Sequence, residues 1–379
     1  MIKILQVNKL FYPWIGGVET VVRQLAEGLA KRPDFDVSVL AGNEHKSLKN
    51  KHYKWKNINV IKAASIGFKF STPLSASYPF LLKRLINEND VFHFHAPNPL
   101  GELAAYLSPI PKHKKVIVTV HADVQQTRWK FFSPVYNFFF KKLLERADVI
   151  TTMGSQNIDC FKSITPFRSK CVVVPLAYDE THDYPVSAED IEAFMLTYAL
   201  HKGKKTIIFV GRLSYYKGLS FLLEAVKQIE DVQLLIVGDG QLKQDIEDRI
   251  NKLNLKDRVV MTGFLQGLLL ATAYTLSDIF VLPSTTESET FGIVQAEAMK
   301  FGLPVINTSL PTAVPSVSLH GQTGLTVPPA NVPALKNALN QILNDDALRE
   351  KYAQNSLERS HLFSPEIMVE NFRKIYTQP

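Results

Sequence analysis

In "ESETFGIVQAEAMKFGLPVI" two carboxylates, Glu289 and Glu297, stand eight positions apart around a Phe-Gly pair, just ahead of an apolar run. If the residues between them are helical, a rise of about 1.5 Å per residue sets them roughly 12 Å apart along the axis. Carboxylates that flank a single glycosidic bond sit about 5–10 Å apart, so this pair is too widely spaced for that task. The span suits a nucleotide-sugar: Glu289 accepting hydrogen bonds from hexose hydroxyls, Glu297 from ribose hydroxyls, and the amides of Thr290, Phe291 and Gly292 at a helix N-terminus meeting the pyrophosphate. A second set lies in "GRLSYYKG", where Gly211 ends a strand and Arg212 and Lys217 bring two cations to the start of a helix. Glycine turns after strands recur at Gly16-Gly17 and at Gly238 in "VGDG"; each lets an anion come close to backbone amides.

Other phosphate and metal chemistries lose support. No GxGxxG with an acidic residue at the ribose distance follows the first strand, and no GxxxxGK[ST] occurs, so the nicotinamide and P-loop readings weaken. His93 and His95 in "FHFHA" share one face of a strand, but a third ligand is missing and hydrogen-bonded strand-end histidines are expected instead. The expectation is a site with no metal and no cofactor.

The elements that must hold these residues alternate along the chain. Apolar β-branched runs such as "IKILQV", "DVFHFHA", "KVIVTVHA", "KTIIFVG", "VQLLIVGDG", "RVVMTG" and "DIFVLPS" are separated by helical periods such as "VETVVRQLAEGLAKR". Continuous apolar strands between helices predict parallel sheets covered on both faces. The expected fold is α/β, two Rossmann-like domains in series, facing across a cleft where strand ends bind ligand. Their boundary is expected in the polar stretch 176–206, giving a first domain of 1–180 plus 363–379 and a second of 200–362. The tail 364–376 reads as a last helix with Ser364 as N-cap and Pro365 behind it.

Length and composition agree with two ordinary globular domains: 379 residues, 46% apolar and 21% charged. The net charge of +7 is unevenly spread. Residues 1–180 carry 25 Lys and Arg against 14 Asp and Glu, whereas residues 181–379 carry 18 against 22. A basic first half suits an anionic partner, and "HKSLKNKHYKWK" (45–56) and "RWKFFSPVYNFFFKKLLER" (128–146) mix cations with aromatics as a membrane-surface segment would. Neither belongs to a nucleic-acid reading motif, so no nucleic-acid partner is expected. The two cysteines have no metal-ligand spacing, and the N-terminus lacks a signal-peptide pattern. The expected location is cytoplasmic, with contact at the inner face of the plasma membrane.

The motifs, in order along nearly the whole chain, resemble the family 4 glycosyltransferases of the GT-B fold. The Glu-x7-Glu block with its "EAM…G.PVI" continuation carries most of that resemblance; "VGRLSYYKG", "IVGDG", "VVMTGF", "DIFVLPS" and the N-terminal Gly-Gly loop add to it. The stretch 306–329 resembles bacterial members that build O-antigen or capsular polysaccharides. The resemblance implies a retaining, metal-independent transfer of a hexose from a UDP- or GDP-sugar to a saccharide or lipid-linked acceptor. It places Glu289 on the sugar hydroxyls, Glu297 on the ribose, Arg212 and Lys217 on the leaving diphosphate, and the amides of Phe291, Gly292 and Ile293 nearby. It also puts Gly263 and Phe264 beside the base, Gly17 near the phosphates and His121 at the sugar. Glu19 and Asp123 are candidates on the acceptor side, and the last helix returns to the first domain. Two other readings share the layout: a nucleotide-sugar 2-epimerase, which would change the donor without an acceptor, and a non-catalytic sugar-nucleotide binding protein.

Overall fold

The computed structural model describes every residue except Ile15, Phe70, Ser71, residues 124–132 and Pro379. The chain divides into two compact units, Met1–Ala177 with Pro365–Pro379, and Tyr178–Ser364.

Among its described residues the first unit contains ten strands: β1 (Ile2–Val7), β2 (Phe35–Gly42), β3 (Lys51–Trp55), β4 (Ile58–Ala63), β5 (Phe68–Lys69), β6 (Thr72–Pro73), β7 (Val91–Ala96), β8 (Lys115–Val120), β9 (Val149–Thr152) and β10 (Cys171–Val173). Eight form one sheet in the order β10-β9-β8-β7-β1-β2-β4-β3, and β5 and β6 pair separately. Every pairing in the large sheet is parallel except β3 with β4. Helices α1 (Gly17–Ala30), α2 (Tyr78–Leu85), α3 (Pro99–Leu107), α4 (Ser133–Arg146) and α5 (Ser155–Cys160) alternate with the strands. The core sits between the sheet and α2, α3 and α4, with Leu82, Phe92, Val118, Phe140 and Ile150 fully or almost fully buried. The central strand β7 is buried at every position, histidines included, because a parallel strand covered on both faces has no solvent side. The strand order reverses between β1 and β7, and ligands of such sheets bind at the C-terminal strand ends beside that switch.

The charged segment 45–56, read above as a membrane surface, forms β3 in its second half. Four of its five residues are exposed. A short, lysine-bearing antiparallel edge also blocks further strand addition, which is a structural reason for its charge. The start of the other basic segment, 128–132, lies outside the described residues; its remainder is α4, with Phe140, Leu143 and Leu144 buried and Val135 and Phe138 exposed. Among the described residues no helix is long and apolar enough to cross a membrane.

The second unit opens with α6 (Ala188–Thr197) and continues through β11 (Lys205–Val210), α7 (Leu219–Lys227), β12 (Val232–Val237), α8 (Lys243–Lys252), β13 (Val259–Gly263), α9 (Gly267–Thr275), β14 (Ile279–Val281), α10 (Ile293–Lys300), β15 (Val305–Thr308), α11 (Val314–Val317), β16 (Gly324–Val327), α12 (Val332–Leu343) and α13 (Asp346–Ser360). Its sheet is wholly parallel in the order β13-β12-β11-β14-β15-β16, with the switch between β11 and β14. From Tyr178 onward, the polar stretch 176–206 belongs to this unit. Ser187 and Asp190 close a reciprocal capping box on α6, His182 accepts a hydrogen bond from the Gly267 amide at 3.0 Å, and Lys300 pairs with Asp183 at 2.7 Å.

The last helix, α14 (Pro365–Thr377), belongs to the first unit. It lies on α1, where a side chain in place of Gly28 would collide with Val369 and where Arg32 pairs with Glu370 at 2.9 Å. Its inner face buries Phe372 and Tyr376 against the strand histidines, the Phe372 ring 5.0 Å from that of His93.

Candidate active site

In the second unit the groups singled out by sequence converge at the switch point. The chain leaves β11 through Gly211, whose φ of +154° favours glycine. It passes a single helical turn, Tyr215–Lys217, and enters α7 at Gly218. A Cβ on Gly218 would overlap the Pro283 carbonyl that follows β14, so the two loops can touch only because this residue is glycine. The Thr285 amide closes the contact by donating to the Tyr216 carbonyl at 2.8 Å. The turn after β12 is fitted as tightly: a Cβ on Gly238, at φ +135°, would overlap the Gly211 carbonyl.

This loop packing brings Lys217 Nζ to 2.6 Å from Glu289 Oε2. Both side chains are nearly buried, with residue exposures of 7% and 8%. Ser284 Oγ donates to the same carboxylate oxygen at 2.9 Å, and Thr312 Oγ1 donates to the Glu289 backbone carbonyl at 2.7 Å. Burial works against the lysine's charge, but the Glu289 carboxylate outweighs it, and the lysine titrates above its ordinary value. Arg212, by contrast, is exposed. Its guanidinium makes no hydrogen bond or ion pair among the described residues, and its charge opposes that of Lys217. The site therefore holds one paired cation and one presented to solvent.

The helix after Glu289 starts later than the sequence suggests. Gly292 has φ +68° and ψ +59° and caps α10, which begins at Ile293. Left-handed backbone cannot belong to a right-handed helix, so Thr290, Phe291 and Gly292 form the turn before it, and the first-turn amides are those of Ile293, Val294 and Gln295. Phe291 points inward, 3% exposed, with its ring 5.9 Å from that of Phe363.

Glu297, on α10, is partly exposed. It accepts a hydrogen bond from Tyr274 Oη at 3.2 Å and another from the Asp179 amide. Burial, and then the neighbouring Asp179 charge, push its carboxyl up to about 7 against those hydrogen bonds. Asp179 and Tyr274 were not foreseen; neither lies in a motif, and both reach Glu297 only through the fold. Gly263, at φ +74°, has open space where a Cβ would stand, and the adjacent Phe264 is 59% exposed. That is a flat apolar surface with room beside it.

In the first unit, Gly16 and Gly17 stand at the start of α1, after β1. A Cβ on Gly16 would meet the Glu19 carboxylate, whereas Gly17 faces open space. Glu19 is 8% exposed, and Asp123, 3% exposed, accepts from the Ser163 amide at 3.3 Å. His121 follows β8 and is 6% exposed, its Nε2 lying 3.1 Å from His95 Nδ1. Burial holds it down to about 4, so it is neutral at pH 7. Hydrogen bonds engage both ring nitrogens of His93 and of His95.

Residues 15–182 match the family described as Glycosyltransferase Family 4, and residues 190–359 match Glycosyl transferases group 1. The O-antigen chain mannosyltransferase C of Escherichia coli is 27% identical over 99% of this chain and 98% of its own. The D-rhamnosyltransferase WbpZ of Pseudomonas aeruginosa is 28% identical over 91% and 87%. The solved structure of HepE from Anabaena in complex with UDP superposes with a TM-score of 0.77 at 19% identity, over 99% of both chains. With the two matches in series covering both units and a GT-B architecture shared with solved relatives, the chain belongs to the family 4, group 1 glycosyltransferases.

Proposed function

We propose that this glycosyltransferase moves a hexose, with retention of configuration, from a UDP- or GDP-sugar to a saccharide or lipid-linked acceptor in cell-envelope polysaccharide synthesis. The observation that carries the reading is the buried Lys217–Glu289 pair at the β11/β14 switch, with Arg212 free beside it. Breaking a glycosyl–phosphate bond puts negative charge on the departing diphosphate, and preorganised cations and amides answer it best in a water-poor site. Arg212 and Lys217 supply that charge in this proposal, so transfer proceeds with EDTA present. Glu289 then exchanges part of its contact with Lys217 for sugar hydroxyls, Glu297 takes the ribose, and Phe264 with Gly263 lies along the base. Gly17 approaches the phosphates, and His121 meets a hydroxyl of the transferred sugar. The name of the E. coli relative, an O-antigen chain mannosyltransferase, supports a polysaccharide product. The exposed cations and aromatics of β3 and α4 support peripheral contact with an anionic membrane at the cytoplasmic face.

The test is a panel of UDP- and GDP-sugars with EDTA, read by thermal shift and by release of free nucleotide. Stabilisation by one nucleotide family with slow donor hydrolysis is expected. If neither family stabilises the protein at millimolar concentration, the donor site is assigned wrongly.

A further inference from the structure

We infer that Gln6 and Tyr376 are positioning residues that set which nitrogen of His121 carries its proton, leaving Nδ1 as a bare acceptor for a ligand hydroxyl. The inference rests on the reading of His121 as a sugar-facing residue. Its basis is an unbroken line of buried hydrogen bonds through the first unit. Gln6 Nε2 donates to Tyr376 Oη at 3.1 Å. Gln6 Oε1 faces His95 Nε2 at 2.8 Å, and His95 Nδ1 faces His121 Nε2 at 3.1 Å. On the other side Tyr376 Oη lies 2.7 Å from His93 Nδ1, and His93 Nε2 lies 2.6 Å from Thr119 Oγ1.

The polarity follows from what each atom can do. An amide oxygen only accepts, so His95 Nε2 must carry a proton. A neutral imidazole has one N–H, so His95 Nδ1 is a lone pair, and His121 Nε2 must donate to it. His121 then has no proton left for Nδ1, which makes no hydrogen bond among the described residues. All three rings are neutral at pH 7, since burial holds His93 to about 3, His121 to about 4 and His95 well below its ordinary value. Among the described residues no carboxylate hydrogen-bonds to any of them. Turning the Gln6 amide over would reverse every donor in the line and put the His121 proton on Nδ1, turning an acceptor into a donor. In this orientation Tyr376 Oη completes the line, accepting from Gln6 Nε2 and giving its own proton to His93 Nδ1. The last helix thus does more than close the first unit, because its terminal aromatic residue helps decide what His121 offers a ligand.

The experiment is nitrogen NMR of the full chain labelled with 15N-histidine, in wild type, Gln6→Leu and Tyr376→Phe, with melting curves to confirm folding. Wild type should show His121 as a single tautomer protonated at Nε2. Tyr376→Phe frees the amide to turn and should show both tautomers, with kcat for donor consumption lowered about tenfold, the loss of one hydrogen bond to the reacting sugar. A wild-type His121 protonated at Nδ1, or an unchanged single tautomer in both folded variants, overturns the inference. The spectra need neither donor nor turnover, so they stand apart from the functional reading. Full donor consumption by His121→Ala would remove His121 from the sugar site while leaving the tautomer result intact.

Discussion

Replacing Glu297 with Gln should stabilise the second unit while weakening nucleotide binding, and the pH dependence of that gain is specific. The folded carboxyl titrates near 7, raised from 4.5 by burial and by Asp179. Between those values the folded state binds the proton that the unfolded state has released, so stability contributed at this residue falls as pH rises from about 4.5 to about 7. A displacement of two to three pH units is worth about 3–4 kcal/mol at most. Partial exposure of the side chain lets solvent screen it, and roughly 2 kcal/mol is the figure to expect. The amide of Gln resembles the protonated carboxyl, so its oxygen still accepts from Tyr274 and the Asp179 amide but nothing ionises. Wild type and variant should therefore melt together near pH 4.5 and diverge by about 4–8 °C at pH 8, for a unit of this size. Scanning calorimetry across that range measures it. The first unit's transition is identified separately by tryptophan fluorescence, since Trp14, Trp55 and Trp129 all precede residue 178. Melting differences that stay constant with pH, or a variant less stable at pH 8, would show that Glu297 is not held protonated in the folded protein.

Three further outcomes follow from the same geometry. Lys217→Met or Glu289→Gln alone should cost the second unit about 3–5 kcal/mol in urea unfolding by leaving one buried partner unmatched, whereas Lys217→Met with Glu289→Leu recovers most of that stability and no transfer. Gly238→Ala forces a Cβ onto the Gly211 carbonyl at a φ that favours glycine, and should lower the second unit's melting temperature by several degrees and abolish nucleotide-induced stabilisation. Because the folded pKa values of His93 and His121 lie below the unfolded value of 6.5, the unfolded chain takes up their protons first. The first unit should lose up to about 1.4 kcal/mol per pH unit per histidine as pH falls from 6.5 toward 4, visible in tryptophan fluorescence during acid unfolding.

What could be read in the sequence, and what could not, divides along the range of the interactions. The buried parallel strands were legible because a strand covered on both faces must be apolar throughout, and "KTIIFV" and "VQLLIV" state that locally. The glycine turns were legible for the same reason, since each is required by the backbone at that spot. β3 escaped because edge strands are selected for charge, so "KHYKW" reads as a solvated or membrane-facing run until its partner "INVIKA" is seen. The start of α10 lies three residues later than the sequence suggests because Gly292 can sit inside or outside a helix, and its left-handed backbone, with no room for a Cβ beside Leu282, belongs to the fold and not to the local sequence. Lys217 and Glu289 were each visible as candidates, yet their pairing was not. It depends on two loops 69 residues apart in sequence meeting at the Tyr216 carbonyl.

The last helix makes the same point in its strongest form. Tyr376 in "ENFRKIY" looks like a core aromatic at helical spacing, and Phe372 beside it is one. Its hydroxyl nevertheless joins Gln6, 370 residues away, to His93, 283 residues away. A hydrogen-bond line of this kind cannot be read from any window of the chain, because each member is an ordinary residue for its own element. Only the sheet order, which sets β7 between β1 and β8, brings Gln6, His95 and His121 into one row. Burial then removes water as a competing partner, and each neutral ring must take the proton position its neighbour leaves. The chemistry offered by His121 is for that reason a property of the folded unit as a whole, and a conservative change at Tyr376 should alter it without touching His121 itself.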